Sequence, residues 1–283
     1  MSQPYQLLII GGPNAGKTHF VGQLYNRLFS NRQPGKRSAY HMVTPPTDLS
    51  AIKAVIDRLA RGLAGLHTES GLNEEISFVV ANEQRQIALT FPDYGGEQVR
   101  DLVRDRLVSS RWQELIAQSD EWLLLIRLDG ISPIEDITTR GFADLEDLRR
   151  RAAKARDEGA LTAPAFYIEL LQMLLFIKGR SVVTPVSQPR LTVALSCWDT
   201  LALPAEGVEP LAELRQRLPL LAGFLEAAWS PGNWRVCGLS SLGQSLDPEV
   251  ANDDFVDNGP ENAGYVVLSA GEHTPDLTQL ITF

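Results

Sequence analysis

Residues Gly11-Gly12-Pro13-Asn14-Ala15-Gly16-Lys17-Thr18 are the part of this chain whose types and spacing point most directly to chemistry. They fit G-x-x-x-x-G-K-[ST], whose glycines let successive backbone N–H groups turn inward around a polyphosphate. In such a loop Lys17 reaches the β- and γ-phosphates and acts as the catalytic cation, and the Thr18 hydroxyl ligates Mg2+. Gly11, Asn14, Ala15, Gly16 and His19 complete the phosphate-lining run. The flanks suit this reading. The apolar run Tyr5–Ile10 reads as a buried strand, and Phe20, Val21, Leu24, Tyr25 and Leu28 share one stripe of a helix. The start of that helix adds its partial positive charge. The chain has only five lysines, so a chance match in an ordinary strand-turn-helix is the weaker reading.

A phosphate loop alone does not separate kinases, ATPases and GTPases. Asp93-Tyr94-Gly95-Gly96 follows a second apolar run and narrows the choice. An aspartate there holds Mg2+ through water, and a glycine three residues on donates its N–H to the γ-phosphate. The competing reading is a plain β-turn, since Pro-Asp-x-Gly is ordinary turn chemistry. Glu97 comes next, where a carboxylate can orient or deprotonate the attacking water. Further on, Ser196-Cys197-Trp198-Asp199 ends an apolar run where a guanine-reading [NT]-K-x-D motif would sit. Its aspartate accepts from the guanine N1–H and 2-amino group, neither of which adenine offers. Ser240 and Ser241 end the following run, where a backbone N–H meets the guanine O6. Trp198 could cover the purine face, although most tryptophans are core. A γ-phosphate-sensing threonine that also ligates the metal is expected after the first helix, with Thr44 preferred over Thr47. Arg37 and Arg100 are arginine-finger candidates by location only.

This ordered set resembles a Ras-like GTPase of the translation-factor-related (TRAFAC) class. The loop Gly11–Thr18, the segment Asp93–Glu97 and the ending Gly264-Tyr265-Val266-Val267-Leu268 with Pro275-Asp276-Leu277-Thr278 are also similar to bacterial double-GTPase-type families of conflict and defence systems. The resemblance implies a three-layer P-loop fold, GTP with Mg2+, and a switch that regulates effector proteins. Three positions depart from it: Cys197 replaces the motif lysine, Ser196 the leading Asn or Thr, and Glu97 the water-positioning glutamine. A non-hydrolysing, nucleotide-dependent scaffold and an ATP-using P-loop enzyme stay open as alternatives. A P-loop phosphotransferase is disfavoured, because no arginine-rich lid stands beside Ser196–Asp199.

Positioning these residues calls for an α/β domain, and 283 residues suffice for one such domain with an insertion. Strands alternating with helices predict a mostly parallel sheet, covered on both faces, with one antiparallel edge from a hairpin of Ile76–Ala81 and Gln86–Phe91. Helices are expected at Leu49–Leu63, Gln98–Ser109, Trp112–Gln118, Ala165–Lys178 and Pro210–Ala228. Strands are expected at Trp122–Leu128, Arg190–Leu195, Trp234–Gly238 and Tyr265–Ser269, and a short helix at Asp276–Ile281. His41–Thr47 and Gly243–Gly264 read as loops. A charged, partly helical insertion is expected at about 131–164. A net charge of −9 argues against nucleic-acid and anionic-membrane surfaces. Cys197 and Cys237 cannot form a disulfide framework and read as buried thiols. The four histidines have no metal-ligand spacing. No apolar run approaches the ~20 residues of a membrane span. With the first strand starting almost at once, a cytoplasmic protein is expected.

Overall fold

The computed structural model describes residues 3–12, 14–30, 38–65, 74–93, 96–129, 131, 162–201, 203 and 207–283. Its strands are β1 (Tyr5–Gly11), β2 (His41–Thr44), β3 (Glu74–Ala81), β4 (Gln86–Asp93), β5 (Glu121–Arg127), β6 (Arg190–Ser196), β7 (Trp234–Ser240), β8 (Tyr265–Val267) and β9 (His273–Thr274). Its helices are α1 (Lys17–Ser30), α2 (Ser50–Leu59), α3 (Gly96–Asp105), α4 (Ser110–Gln118), α5 (Ala163–Ile177), α6 (Pro210–Arg217), α7 (Pro219–Ala228) and α8 (Asp253–Asp257). Three short 3-10 turns, Trp198–Thr200, Pro260–Asn262 and Leu277–Ile281, complete the set.

The strands form one sheet in the order β2-β3-β4-β1-β5-β6-β7-β8-β9. β4, β1, β5, β6 and β7 run parallel, so their carboxyl ends share one edge. Continuous apolar runs such as Leu7–Ile10 suit strands buried on both faces. Leu8 and Ile10 pack with α3, α4, α5 and α7 on one face, and Leu7 and Ile9 pack with α1 and the Leu277–Ile281 turn on the other. All four are at most 2% exposed, and each such side chain contributes about 1.5–3 kcal/mol of burial. The α/β class and the parallel centre therefore hold.

One antiparallel edge was expected and the sheet has two, with β2 and β3 on one flank and β8 and β9 on the other. β8 starts at the edge where β7 has just ended, Tyr265 beside Ser240, and a strand starting there must run back. The expected hairpin is present and longer, its turn held by Asn82 Oδ1, which accepts from the N–H groups of Gln84 and Arg85. His41–Thr44 is an edge strand rather than a loop; Pro45 and Pro46 lie past it and stop only its continuation. The Pro210–Ala228 helix is broken in two. Pro219 has no N–H to donate, and it drives Leu218 out of the helical region to φ −132° and ψ 59°. Gly243–Gly264 contains α8, capped by Asn252, which accepts from the Phe255 N–H. Within 131–164 only Ile131 and 162–164 are described, and Ala163 and Pro164 already belong to α5. Cys237 is buried as expected and Cys197 is half-buried.

α1 carries two buried polar side chains that bind the chain before and after β8. Arg27, 2% exposed, donates to the carbonyls of Glu261, Ala263, Gly264 and Pro275, and Gln23 donates to those of Pro260 and Ala263. Arg27→Met keeps much of the volume and leaves those buried acceptors without their donor. Urea unfolding should show a loss of about 2–5 kcal/mol. The exposed Arg215→Ala, which breaks a surface pair with Glu226, should stay within about 1 kcal/mol. Equal effects of the two would refute a structural role for Arg27.

Candidate nucleotide site

The Gly11–Thr18 segment leaves the carboxyl end of β1, an interior strand of the parallel set between β4 and β5, and enters α1 at Lys17. Asn14 and Gly16 take positive φ values of 56° and 76°, which turn the backbone into the concave path an anion nest requires. Gly11 has no room for a side chain, because a Cβ there would lie 2.9 Å from the Leu125 carbonyl oxygen of β5. The Lys17 ammonium is buried and donates to the carbonyls of Gly11 (3.0 Å) and Gly12 (2.9 Å), folding back across its own loop. The start of α5 closes this side. The Tyr167 hydroxyl and the Phe166 ring stand 3.5 Å from the point a Cβ on Gly12 would occupy. Burial pushes the Tyr167 phenol up to about 12, so it is a neutral donor beside the loop. Pro13 lies outside the described residues.

Two strands further along the same edge, β6 ends in Ser196 and the chain turns sharply at Cys197, whose φ is 54°. Thr200 caps that turn through bonds of its N–H and Oγ1 to the Cys197 carbonyl. The half-buried Asp199 accepts from Ser240 Oγ at 2.5 Å, and the same hydroxyl accepts from the Gly243 N–H at 2.9 Å. Ser240 thus ties the carboxylate to the loop after β7. Trp198 is buried over Gly238, where an added Cβ would meet the indole at 2.7 Å. Ser241 is half-buried, and its carbonyl stands 2.3 Å from where a Cβ on Gly264 would sit. The two halves of the site lie side by side. A Cβ on Gly16 would lie 4.0 Å from that of Ser196.

The remaining candidates are placed less evenly. Asp93 ends β4, and carrying the β1–β4 register three residues on sets it level with Gly11. α3 starts at Gly96, so a strand and then a helix flank the segment in the expected order. Tyr94 and Gly95, Arg37, and the side chains of Asp93, Glu97 and Arg100 lie outside the described residues. His19 Nε2 accepts from the Gly65 N–H at 3.0 Å, which joins α1 to the turn after α2. Thr44 is exposed and is not brought to the loop. Its row runs through Val79 and Ala88 to Gln6 at the start of β1, on the order of 20 Å from Gly11. Thr47 is exposed in the connection to α2. β3, by contrast, starts at Glu74 directly opposite Asp93.

Thr18 and Asp93 would offer a metal hydroxyl and carboxylate oxygen, the hard donors Mg2+ prefers. Among the described residues no group of three or more His, Cys, Asp or Glu could hold a metal ion. Among the described residues no helix is long and apolar enough to cross a membrane.

The model of the Double-GTPase 1 family matches residues 8–283, from inside β1 to the last residue. The chain belongs to the Double-GTPase 1 family. No curated protein matches it. The match agrees with the resemblance read from the loop, the Asp93 segment and the C-terminal stretch. In this Double-GTPase 1 chain several site residues escaped sequence reasoning. Tyr167 and Phe166 sit in a helix whose apolar run reads only as core. The role of Ser240 as holder of Asp199 depends on a contact between residues 41 positions apart. The Gly264 signal was present, as a glycine directly before the apolar run of β8. Gly264→Ala meets both a φ of +90° and the Ser241 carbonyl. It should cost more than about 1–3 kcal/mol in thermal unfolding, with the equally left-handed but open Gly232→Ala as the milder control. Equal costs would show that the Ser241 contact does not constrain this position.

Proposed function

We propose that this chain is a GTP-binding and GTP-hydrolysing switch with a Ras-like P-loop core. The observation that carries the reading is that Gly16 lies next to Ser196, close enough that a Cβ on Gly16 would come to 4.0 Å from that of Ser196. This sets the phosphate loop beside the Asp199–Ser240 element on one edge of the sheet, as one nucleotide spanning both would require. Membership of a family named for GTPases supports the same substrate. The Gly11–Thr18 backbone would cradle the phosphates, with Lys17 countering their charge. Thr18 and Asp93 would hold Mg2+, which neutralises charge on the β- and γ-phosphate oxygens when bound. Gly96 would donate its backbone N–H to the γ-phosphate, and Glu97 would orient the attacking water. Asp199 would accept from the guanine N1–H and 2-amino group, with the Ser240–Ser241 backbone near O6. The position of Thr44 gives its assignment no support. Loops at this edge would present the bound state to an effector protein in the cytoplasm.

Two substitutions test the two ends of the site. Lys17→Ala removes a charge-assisted bond of about 1.5–3 kcal/mol, so GTP binding should weaken roughly 10- to 150-fold in calorimetry while the fold persists. Unchanged affinity would remove the phosphate-loop assignment. Asp199→Asn exchanges an acceptor for a donor, which suits the 2-oxo group of xanthine. Wild type should prefer GTP over ATP and XTP, and the variant should lose GTP and gain XTP. Equal binding of ATP and GTP by wild type, with the variant indifferent to the base, would reduce Asp199 to a turn residue and favour an ATP-using enzyme.

A further inference from the structure

The base-reading element lacks the cation that a complete motif places two residues before its aspartate. Cys197 stands there, and burial raises its thiol pKa, so it brings no charge. A cation is nevertheless present on the neighbouring strand. Arg127 is the last residue of β5 and pairs in register with Ser196. The alternation of β5 puts Leu123 and Leu125 on the α1 face, and Arg127 continues that row. Ser196 follows Ala194 onto the same face, where it meets Gly16. Arg127 is thus placed on the side of the sheet edge along which a nucleotide must run from the loop toward Asp199. Its guanidinium is 41% exposed and engages Asp129 through two bonds, Nε to Oδ1 and a terminal nitrogen to Oδ2 at 2.5 Å. That hydrogen bonding to Asp129 raises its pKa, and the Asp199 carboxylate is close enough to act on it as well.

An exposed ion pair with a residue two positions away adds little to stability. What it does is fix the plane of the guanidinium. Hydrogen bonds to Asp129 lie in that plane and leave both faces open, and a planar, weakly hydrated cation stacks well on an aromatic ring. Building on the GTP-binding reading above, we propose that Arg127, oriented by Asp129, flanks the purine and supplies from β5 the cation missing at Cys197. It would contact the base and not the phosphates.

The test compares GTP with inorganic tripolyphosphate, which occupies the phosphate loop but has no base. Arg127→Ala and Arg127→Met should weaken GTP binding roughly 3- to 30-fold, the range of a partly desolvated cation–π contact. Tripolyphosphate affinity should stay within about twofold, and Arg127→Lys should recover part of the GTP loss. Arg127 is exposed, so unchanged melting temperatures should confirm folding. GTP affinity equal to wild type in both variants would make Arg127 a surface ion pair and overturn the proposal. So would equal losses for GTP and tripolyphosphate, which would place the cation on the phosphates. Lys17→Ala separates this failure from failure of the broader reading. If it leaves GTP and tripolyphosphate binding untouched, the nucleotide site itself is wrong; if it abolishes both while Arg127 variants bind as wild type, only the role of Arg127 falls.

Discussion

The site depends first on the burial of β1 on both faces. A strand whose successive side chains all leave water cannot sit at an edge, so β1 is forced into the interior between β4 and β5. From there its carboxyl end delivers Gly11 to the parallel edge, flanked by the ends of β4 and β5. The loop then has to turn within a few residues. α1 must pack back onto the same sheet face, where Phe20, Val21 and Leu24 are fully buried. Asn14 and Gly16 accept left-handed backbone to make that turn. The concave run of N–H groups is a by-product of how tightly the helix has to return.

The same constraint explains why the base-side element comes from elsewhere in the chain. Crossovers between parallel strands need a helix each, so neighbouring strand ends on one edge are far apart in sequence. β6 and β7 lie two and three strands from β1, and their terminal residues Ser196 and Ser240 come together only through the sheet register. The hydroxyl of Ser240 then does for Asp199 what a single loop could not. It fixes the carboxylate from a second strand and is itself fixed by the Gly243 N–H.

What was legible in the sequence was local. The β1–α1 segment, the hairpin of β3 and β4, and the strands β5 to β7 carry apolar runs and turn residues that act within a few positions. Their edges fell within a few residues of expectation. What was illegible depended on contacts. β2 is a strand only because β3 offers it an edge, and α8 is held by Phe255 packing near Val55 and Leu59 of α2. Thr44 read as a plausible sensor because it follows the first helix; the sheet order then carried it three strands away from β1. Arg127 read as an interruption of an apolar strand, and only its register with Ser196 gives it a place near the base. Pro219 was visible and underweighted, although a proline after a non-helical residue is enough to divide a helix.

The two ends of the site are joined by a second route besides the approach of Gly16 to Ser196. α1 begins with Lys17 and Thr18 and, three turns on, buries Arg27 against the carbonyls of Ala263 and Gly264. Gly264 in turn presses on the Ser240 and Ser241 carbonyls, and Ser240 holds Asp199. Each link is a part-buried polar bond or a close backbone approach, and losing a polar bond there leaves groups poorly paired. Such a frame keeps the distance between phosphate and base elements constant and does not transmit motion. The switch proposed above would therefore have to move an element outside this frame, and β4, which ends at Asp93 level with Gly11, lies outside it.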